Sequence, residues 1–215
     1  MTSTQAEVHV HRDPPDVQGS RDRLGVILLI VADVAFVACL IFTYLYLRFL
    51  NVNDAWLPEE IVPASPGPTW LIVVVLAVGA GVFAWGVAGL RIGRSSTFAI
   101  GSTIALAAAA LALVLQIWQL QNFNFALKEN GRYLSAYSSC MVALAGANVF
   151  HILLTLFLSL GMVIRGRRGK YRNPSAWQPR IMRLWWLWVV VSAVIVGLVT
   201  TFLVATPGPA MLAGG

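Results

Sequence analysis

The stretch "LGVILLIVADVAFVACLIFTYLYLR", residues 24–48, decides the fold, because it is apolar, is long enough to cross a membrane as a helix, and contains one carboxylate, Asp33. A helix needs roughly 20 apolar residues to cross about 30 Å of hydrocarbon. The rest of the chain has the same character: its 215 residues are 58% hydrophobic and 11% charged, with a mean hydropathy of +0.76. This composition excludes an ordinary soluble domain and indicates a membrane protein.

Four further stretches have the length and composition of membrane spans. The segments between them are too polar, or too rich in Pro and Gly, to continue a helix through lipid. We therefore predict an all-α polytopic membrane protein, a bundle of five transmembrane helices at 24–47, 69–90, 97–120, 136–164 and 184–205. Residues 1–23 are predicted to form a polar N-terminal tail, and residues 206–215 a C-terminal tail.

Basic residues alternate between the two sides of the predicted bundle. The N-terminal tail and the second and fourth loops carry most of the 15 Lys and Arg residues. Because positively charged short loops stay cytoplasmic, the pattern predicts a cytoplasmic N-terminus and a C-terminus outside. The net charge of +6 follows from this asymmetry, so we expect membrane lipids, and no nucleic acid, as charged partners.

Small residues recur every four positions on the second and third predicted spans. Small side chains let helix backbones approach closely in lipid, and only a short loop joins these two spans. We therefore expect a tightly packed antiparallel hairpin. The small residues are Ala77 and Gly81, then Ala80, Ala84 and Ala88, on the second span, and Gly101, Ala105 and Ala109, with Ala108 and Ala112 beside them, on the third.

Asp33 is the only carboxylate inside a predicted span. A charge at the bilayer centre costs about 2.5–3.5 kcal/mol by insertion scales, so this side chain needs a polar partner. Asn148, His151, Thr155 and Ser159 form a polar stripe on one face of the fourth span. Counting about 1.5 Å per residue places Asn148 near the depth of Asp33, and His151 one turn closer to the cytoplasm. We predict that Asp33 hydrogen-bonds to Asn148 or to His151.

Catalytic chemistry is not predicted for this chain alone. His151 is the only His in a span, so bis-histidine haem ligation lacks its second ligand. His9 and His11 are two ligands without a third, so no metal site is expected. The sequence shows no nucleophile with a nearby base. Asp33 and His151 are interpreted as a structural pair or as a step on a proton path.

Aromatic side chains gather at the predicted membrane boundaries, and most of them fit an interfacial belt. Tyr44 and Arg48 end the first span, while Trp185, Trp186 and Trp188 begin the fifth. The Trp cluster follows a strongly basic loop, which favours anionic headgroups. We expect these five residues to contact lipid or a neighbouring subunit.

These features resemble subunit III of the haem-copper oxidases, the cytochrome c oxidase type. In the first span, Asp33 falls on the family's intramembrane Glu, Tyr44 on its Tyr and Arg48 on its Arg. The stretch "AGANVFHILLTLFLSLG", residues 145–161, resembles the family's Gly-x-His-x-x-His helix. His151 matches the second His of this motif, and Asn148 replaces the first.

Two more stretches carry the resemblance. In "LQIWQL", residues 115–120, Gln116 matches the family's Gln-x-Tyr-Glu, and Gln119 replaces the Glu. In "LWWLWVVV", residues 184–191, only Trp185 matches the usual Trp-His-Phe-Val-Asp. The replacements remove titratable groups, which indicates a divergent branch. The resemblance covers nearly all of residues 24–205, and five spans fit the short forms of the family.

The resemblance implies an accessory subunit of a bacterial cell (inner) membrane oxidase in aerobic respiratory electron transport, with no cofactor of its own. It would pack against catalytic subunit I, which holds haem and copper, and join subunit II in the complex. It would also bind phospholipid in an interhelical cleft and support oxygen access and proton uptake. The buried polar residues of that cleft would be Asp33, Asn148, His151, Gln116 and Gln119, with Asp33 orienting helices.

Two alternatives stay open. The first is the related subunit-III-like component of nitric oxide reductases, which the loss of titratable groups also fits, and which the catalytic partner would distinguish. The second is a small transporter that uses Asp33 as its ion or proton site. Transporters commonly show inverted repeats and Gly or Pro breaks within spans. No Pro lies inside the predicted spans and no repeat is visible, so this interpretation ranks last.

Overall fold

The computed structural model describes residues 14–123, 125, 128–129, 132–133, 135–171 and 176–206. Within these residues, five helices are long and apolar enough to cross a membrane. They are α1 Pro15–Leu50, α2 Pro66–Arg91, α3 Ser95–Gln121, α4 Ala136–Arg167 and α5 Gln178–Phe202. A short 3-10 helix, Val52–Asp54, follows α1, and the two-residue strands β1 Lys128–Glu129 and β2 Arg132–Tyr133 pair antiparallel before α4. The predicted helical membrane bundle is confirmed.

The first helix begins earlier than the sequence predicted. Residues 1–23 were expected to form a polar tail, but α1 already starts at Pro15. Proline suits the first helical position, because its missing N–H would have no intrahelical partner there. The polar turns up to residue 23 therefore extend α1 beyond its apolar segment. Residues 1–13, which contain His9 and His11, and residues 207–215 lie outside the described residues.

The α2–α3 pair packs most extensively of all the helix pairs, as the predicted hairpin requires. A Cβ added at Gly101 would lie 2.9 Å from the carbonyl oxygen of Val82 and 3.0 Å from Cα of Gly86. The two backbones therefore approach closely where glycine allows it.

Two of the small residues predicted to pack in this hairpin do not lie at its interface. Ala77 and Gly81 are exposed, and a Cβ added at Gly81 would meet nothing within 4 Å. Gly79 lies at the interface instead, where an added Cβ would come within 3.0 Å of Ala108 and Trp186. Several small-residue stripes share one helix, and spacing alone does not say which of them turns inward.

Helix α1 lies at the edge of the bundle and contacts α4 and α5. Only 6% of its apolar segment is buried inside the chain, against 28–39% for the other four helices. Its outer side is a row of exposed apolar side chains that lipid tails can cover: Leu24, Leu28, Val31, Phe42 and Phe49. Polar bonds therefore matter more for placing α1 than for placing the central helices.

Candidate functional site

Three helices meet at Asp33, midway along α1. Nε2 of His151, from α4, lies 3.0 Å from Oδ1 and 2.9 Å from Oδ2 of Asp33. The indole Nε1–H of Trp188, from α5, donates to Oδ2 at 2.5 Å. We call these three residues the Asp33 cluster. The carboxyl group thus has two hydrogen-bonding partners in place of the water it has lost, which offsets the cost of burying it.

The Asp33 cluster is shielded from its surroundings. The side chains of Asp33 and His151 are 11% and 3% exposed. The predicted hydrogen bond of Asp33 to Asn148 or His151 is confirmed for His151, whereas Asn148 bonds to another helix. Counting residues from the ends of the spans predicted that Asp33 and Asn148 lie at the same depth. Asp33 instead bonds to His151, so the predicted depth was wrong by about one helical turn, roughly 5 Å.

Contacts with α5 hold His151 in place. The indole of Trp185 stands edge-on to the imidazole, with ring centroids 6.3 Å apart. Nε1–H of Trp185 donates to Oγ1 of Thr155 at 2.9 Å, and this hydroxyl donates to the backbone carbonyl of His151 at 2.7 Å. Both hydrogen bonds are buried, and they fix the Trp185 indole, which packs against the imidazole, to α4.

A second polar group lies between the Asp33 cluster and the bundle end at which α3 and α5 finish. Nδ2–H of Asn148 donates to Oε1 of Gln116 at 2.5 Å, and Nε2–H of Gln116 donates to Oε1 of Gln119 at 2.9 Å. Nε2–H of Gln119 then donates to Oγ1 of Thr69 at 2.7 Å. We call these four residues the polar chain. It links α4, α3 and α2, and it includes three of the five predicted cleft residues.

Two cavities border the polar chain. The larger has a volume of about 30 Å³ and is lined by all four residues of the polar chain and by Thr200. The smaller, of about 10 Å³, lies between α1, α4 and α5, with Asn148 and His151 in its wall. Because Asn148 lines both, the two cavities adjoin at this residue and lead from Thr69 toward His151.

The tryptophans at the start of α5 point into the bundle. Trp185 and Trp186 are 2% and 0% exposed, and Trp186 stacks on Phe83 with ring centroids 6.3 Å apart. The expected contact with lipid or another subunit is therefore wrong for these two rings. Trp188 is half-buried and uses its N–H on Asp33. Sequence reasoning missed this role because an amphipathic indole near a helix end fits an interfacial belt equally well.

Tyr44 and Arg48 bond to the end of α5. The Tyr44 hydroxyl, Nε of Arg48 and Nε1 of Trp56 donate to the carbonyls of residues 203, 205 and 204, at 3.2, 2.6 and 2.8 Å. These carbonyls belong to the three residues that follow α5, so the bonds tie the chain just after the helix to α1 and to the α1–α2 loop. Tyr44 is fully buried, so its ring does not make the expected contact with lipid or another subunit.

The chemistry that the Asp33 cluster offers is hydrogen bonding and proton exchange between a carboxyl group and an imidazole. Within the described ranges, no three His, Cys, Asp or Glu side chains lie grouped as metal ligands. No model of a known protein family matches the chain, and no curated protein matches it. A functional proposal must therefore start from the geometry of the site.

Proposed function

We propose that the chain is the accessory subunit III of a haem-copper terminal oxidase. The observation that carries the proposal is the contact between Asp33 and His151. These two residues stand where the resembled family has its intramembrane Glu and the second His of its Gly-x-His-x-x-His helix. They are 118 residues apart in sequence. Their contact brings the matched positions of α1 and α4 together at one place in the bundle, which supports the resemblance.

In this role the chain performs no redox chemistry of its own. Haem and copper belong to catalytic subunit I, against which this chain packs together with subunit II. Phospholipid bound between its helices gives oxygen an apolar route, because oxygen dissolves readily in hydrocarbon. Asp33 acts as a positioning residue: its bonds to α4 and α5 hold the otherwise lightly buried α1 against the bundle.

The proposed location is the bacterial cell membrane, with the N-terminus in the cytoplasm and the C-terminus outside. One end of the bundle holds the start of α1, the α2–α3 turn and the α4–α5 connection. Arg91, Arg94, Arg165 and Arg167 lie at this end. Such a concentration of short-loop basic residues supports the cytoplasmic assignment.

The test is purification of the tagged full chain from its native membrane in mild detergent, followed by a haem absorption spectrum and identification of its partners. We expect a haem-bearing subunit to be recovered with the chain. Asp33→Glu, which restores the carboxylate of the resembled family, should keep the haem recovered per chain. Asp33→Leu, which removes both hydrogen bonds, should lower it.

Two results would contradict the proposal. Recovery as a haem-free homo-oligomer that drives ion-coupled uptake in vesicles would identify a transporter. Recovery with a haem-bearing partner that reduces nitric oxide, and not oxygen, would place the chain with the related reductases.

A further inference from the structure

We propose that the polar chain lines a water-filled half-channel, which runs from the end of the bundle where α3 finishes to the Asp33 cluster and stops there. This inference does not rest on the proposed function, because it uses only the geometry of the cavities and of the side chains around them. Its consequence is that Asp33 and His151 exchange protons with one face of the membrane only.

The larger cavity reaches one end of the bundle. Thr69 lies in the first turn of α2, Gln119 in the last turn of α3 and Thr200 in the last turn of α5, and all three line this cavity. Gln116 lies three residues, about 4.5 Å, deeper along α3. Asn148 continues from Gln116 into the smaller cavity.

The smaller cavity ends at the Asp33 cluster. His151 is in its wall, three residues or about 4.5 Å beyond Asn148 along α4. Past His151, the hydroxyl of Thr155 is taken up by the bonds to Trp185 and to the His151 carbonyl. Thr155 and Trp185 are buried at 0% and 2% exposure. Their packing closes the route toward the other end of the bundle.

The polar chain has amide hydrogen-bonding groups that its own bonds do not use and that can bind water. Each amide carries two N–H donors and a carbonyl oxygen, and the chain uses one donor of each. Among the described residues, none donates to Oδ1 of Asn148, and this oxygen is not an enclosed unpaired atom. The larger cavity, of about 30 Å³, has room for about two water molecules, and the smaller, of about 10 Å³, for one at most, since one water needs roughly 10–15 Å³ of such volume and 2–4 polar partners.

Water fits this lining better than a lipid tail. An acyl chain would cover the remaining amide groups without offering them a hydrogen bond, and a buried polar group left unpaired is destabilising. The exposed apolar side of α1 is available to acyl chains at no such cost. We therefore assign water to the cavities along the polar chain, so the phospholipid of the proposed function lies between helices elsewhere in the bundle and not beside Asn148 and Gln116.

Sided thiol labelling tests the half-channel. The full chain, in sealed native membrane vesicles, carries Cys39→Ala and Cys140→Ala, which remove its free thiols. Val62→Cys, in the α1–α2 loop, and Ile92→Cys, in the α2–α3 turn, mark the two faces, because both positions are exposed. The probe is a small, charged, membrane-impermeant methanethiosulfonate.

Asn148→Cys should be labelled from the face that labels Val62→Cys. Phe150→Cys is the matched control, because it lies two residues away on the lipid side of α4, where Phe150 is 60% exposed. Its labelling should be at least about tenfold slower, because only the thiolate reacts and lipid does not ionise a thiol. Ala145→Cys lines the larger cavity without belonging to the polar chain, and should be labelled like Asn148→Cys.

The proposal is overturned if both cavity variants resist the reagent from the Val62 face, or react from the Ile92 face. It is also overturned if they react only after phospholipid has been removed, since lipid then fills the cavities. None of these outcomes depends on whether a haem-bearing partner is found.

Discussion

The indole N–H of Trp188 donates to Oδ2 of Asp33 at 2.5 Å, beside the imidazole of His151. This bond joins α5 to α1 in the middle of the bundle. Because lipid tails are as apolar as the side chains they cover, burial of α1 supplies little drive for its docking. The Asp33 cluster is therefore a specific link that holds α1 to the other helices.

Replacement of Trp188 by Phe tests this link. Trp188→Phe keeps an aromatic ring and removes only the N–H that reaches Asp33. We expect a loss of about 1–2 kcal/mol in the free energy of unfolding, the range for an interhelical hydrogen bond in lipid. The measurement is reversible unfolding of the full chain in mixed micelles.

Trp85→Phe is the control, because Trp85 is 54% exposed and its indole makes no hydrogen bond among the described residues. Its effect should stay within about 0.5 kcal/mol, as for most surface substitutions. Equal losses in the two variants would mean that the Trp188 bond contributes nothing specific.

A double-mutant cycle separates the partners of Asp33. Asp33→Ala and His151→Ala remove two sides of one contact, so their effects on unfolding should be coupled by about 0.5–3 kcal/mol. Asp33→Ala and Asn148→Ala should be nearly additive, because Asn148 bonds to Gln116 and not to Asp33. Additivity of the first pair, or strong coupling of the second, would contradict the observed geometry.

The fold was largely predictable because length and hydropathy identify spans without reference to any neighbour. The predicted span boundaries were wrong at the polar ends. Helix α1 continues back to Pro15, because polar residues can extend a helix beyond the lipid. The rotation of each helix was harder to predict. Gly79, not Gly81, faces α3, because several faces of α2 carry small residues and the choice depends on which neighbour each meets.

The candidate site was predictable only in part. Asp33 needed a donor, and the polar stripe on α4 offered two, so His151 could be anticipated. Trp188 could not, because its indole suits a membrane boundary as well as a buried acid. The bond between Asn148 and Gln116 also depends on how α3 and α4 are rotated, which spacing along each helix does not determine.

The cap on α5 makes its own prediction. Tyr44→Phe removes the hydroxyl that bonds to the carbonyl of Leu203, so the end of α5 should open more often. A typical net hydrogen bond contributes about 0.5–1.5 kcal/mol, so hydrogen exchange of the peptide covering residues 196–206 should be faster by about threefold to tenfold. Tyr46→Phe is the matched control, because Tyr46 is 52% exposed. Equal exchange in the two variants would show that the cap does not hold the helix end.

The α2–α3 interface should tolerate no methyl group at Gly101. An added Cβ would lie 2.9 Å from the carbonyl oxygen of Val82, and a backbone atom cannot move aside as a flexible side chain can. Gly101→Ala should therefore force the two helices apart and destabilise the bundle by about 1–3 kcal/mol, the usual cost of overpacking. Gly81→Ala adds the same methyl group to α2 where nothing lies within 4 Å, and should leave thermal unfolding in detergent almost unchanged. If the two variants unfolded at the same temperature, the α2–α3 contact would be looser than these distances require.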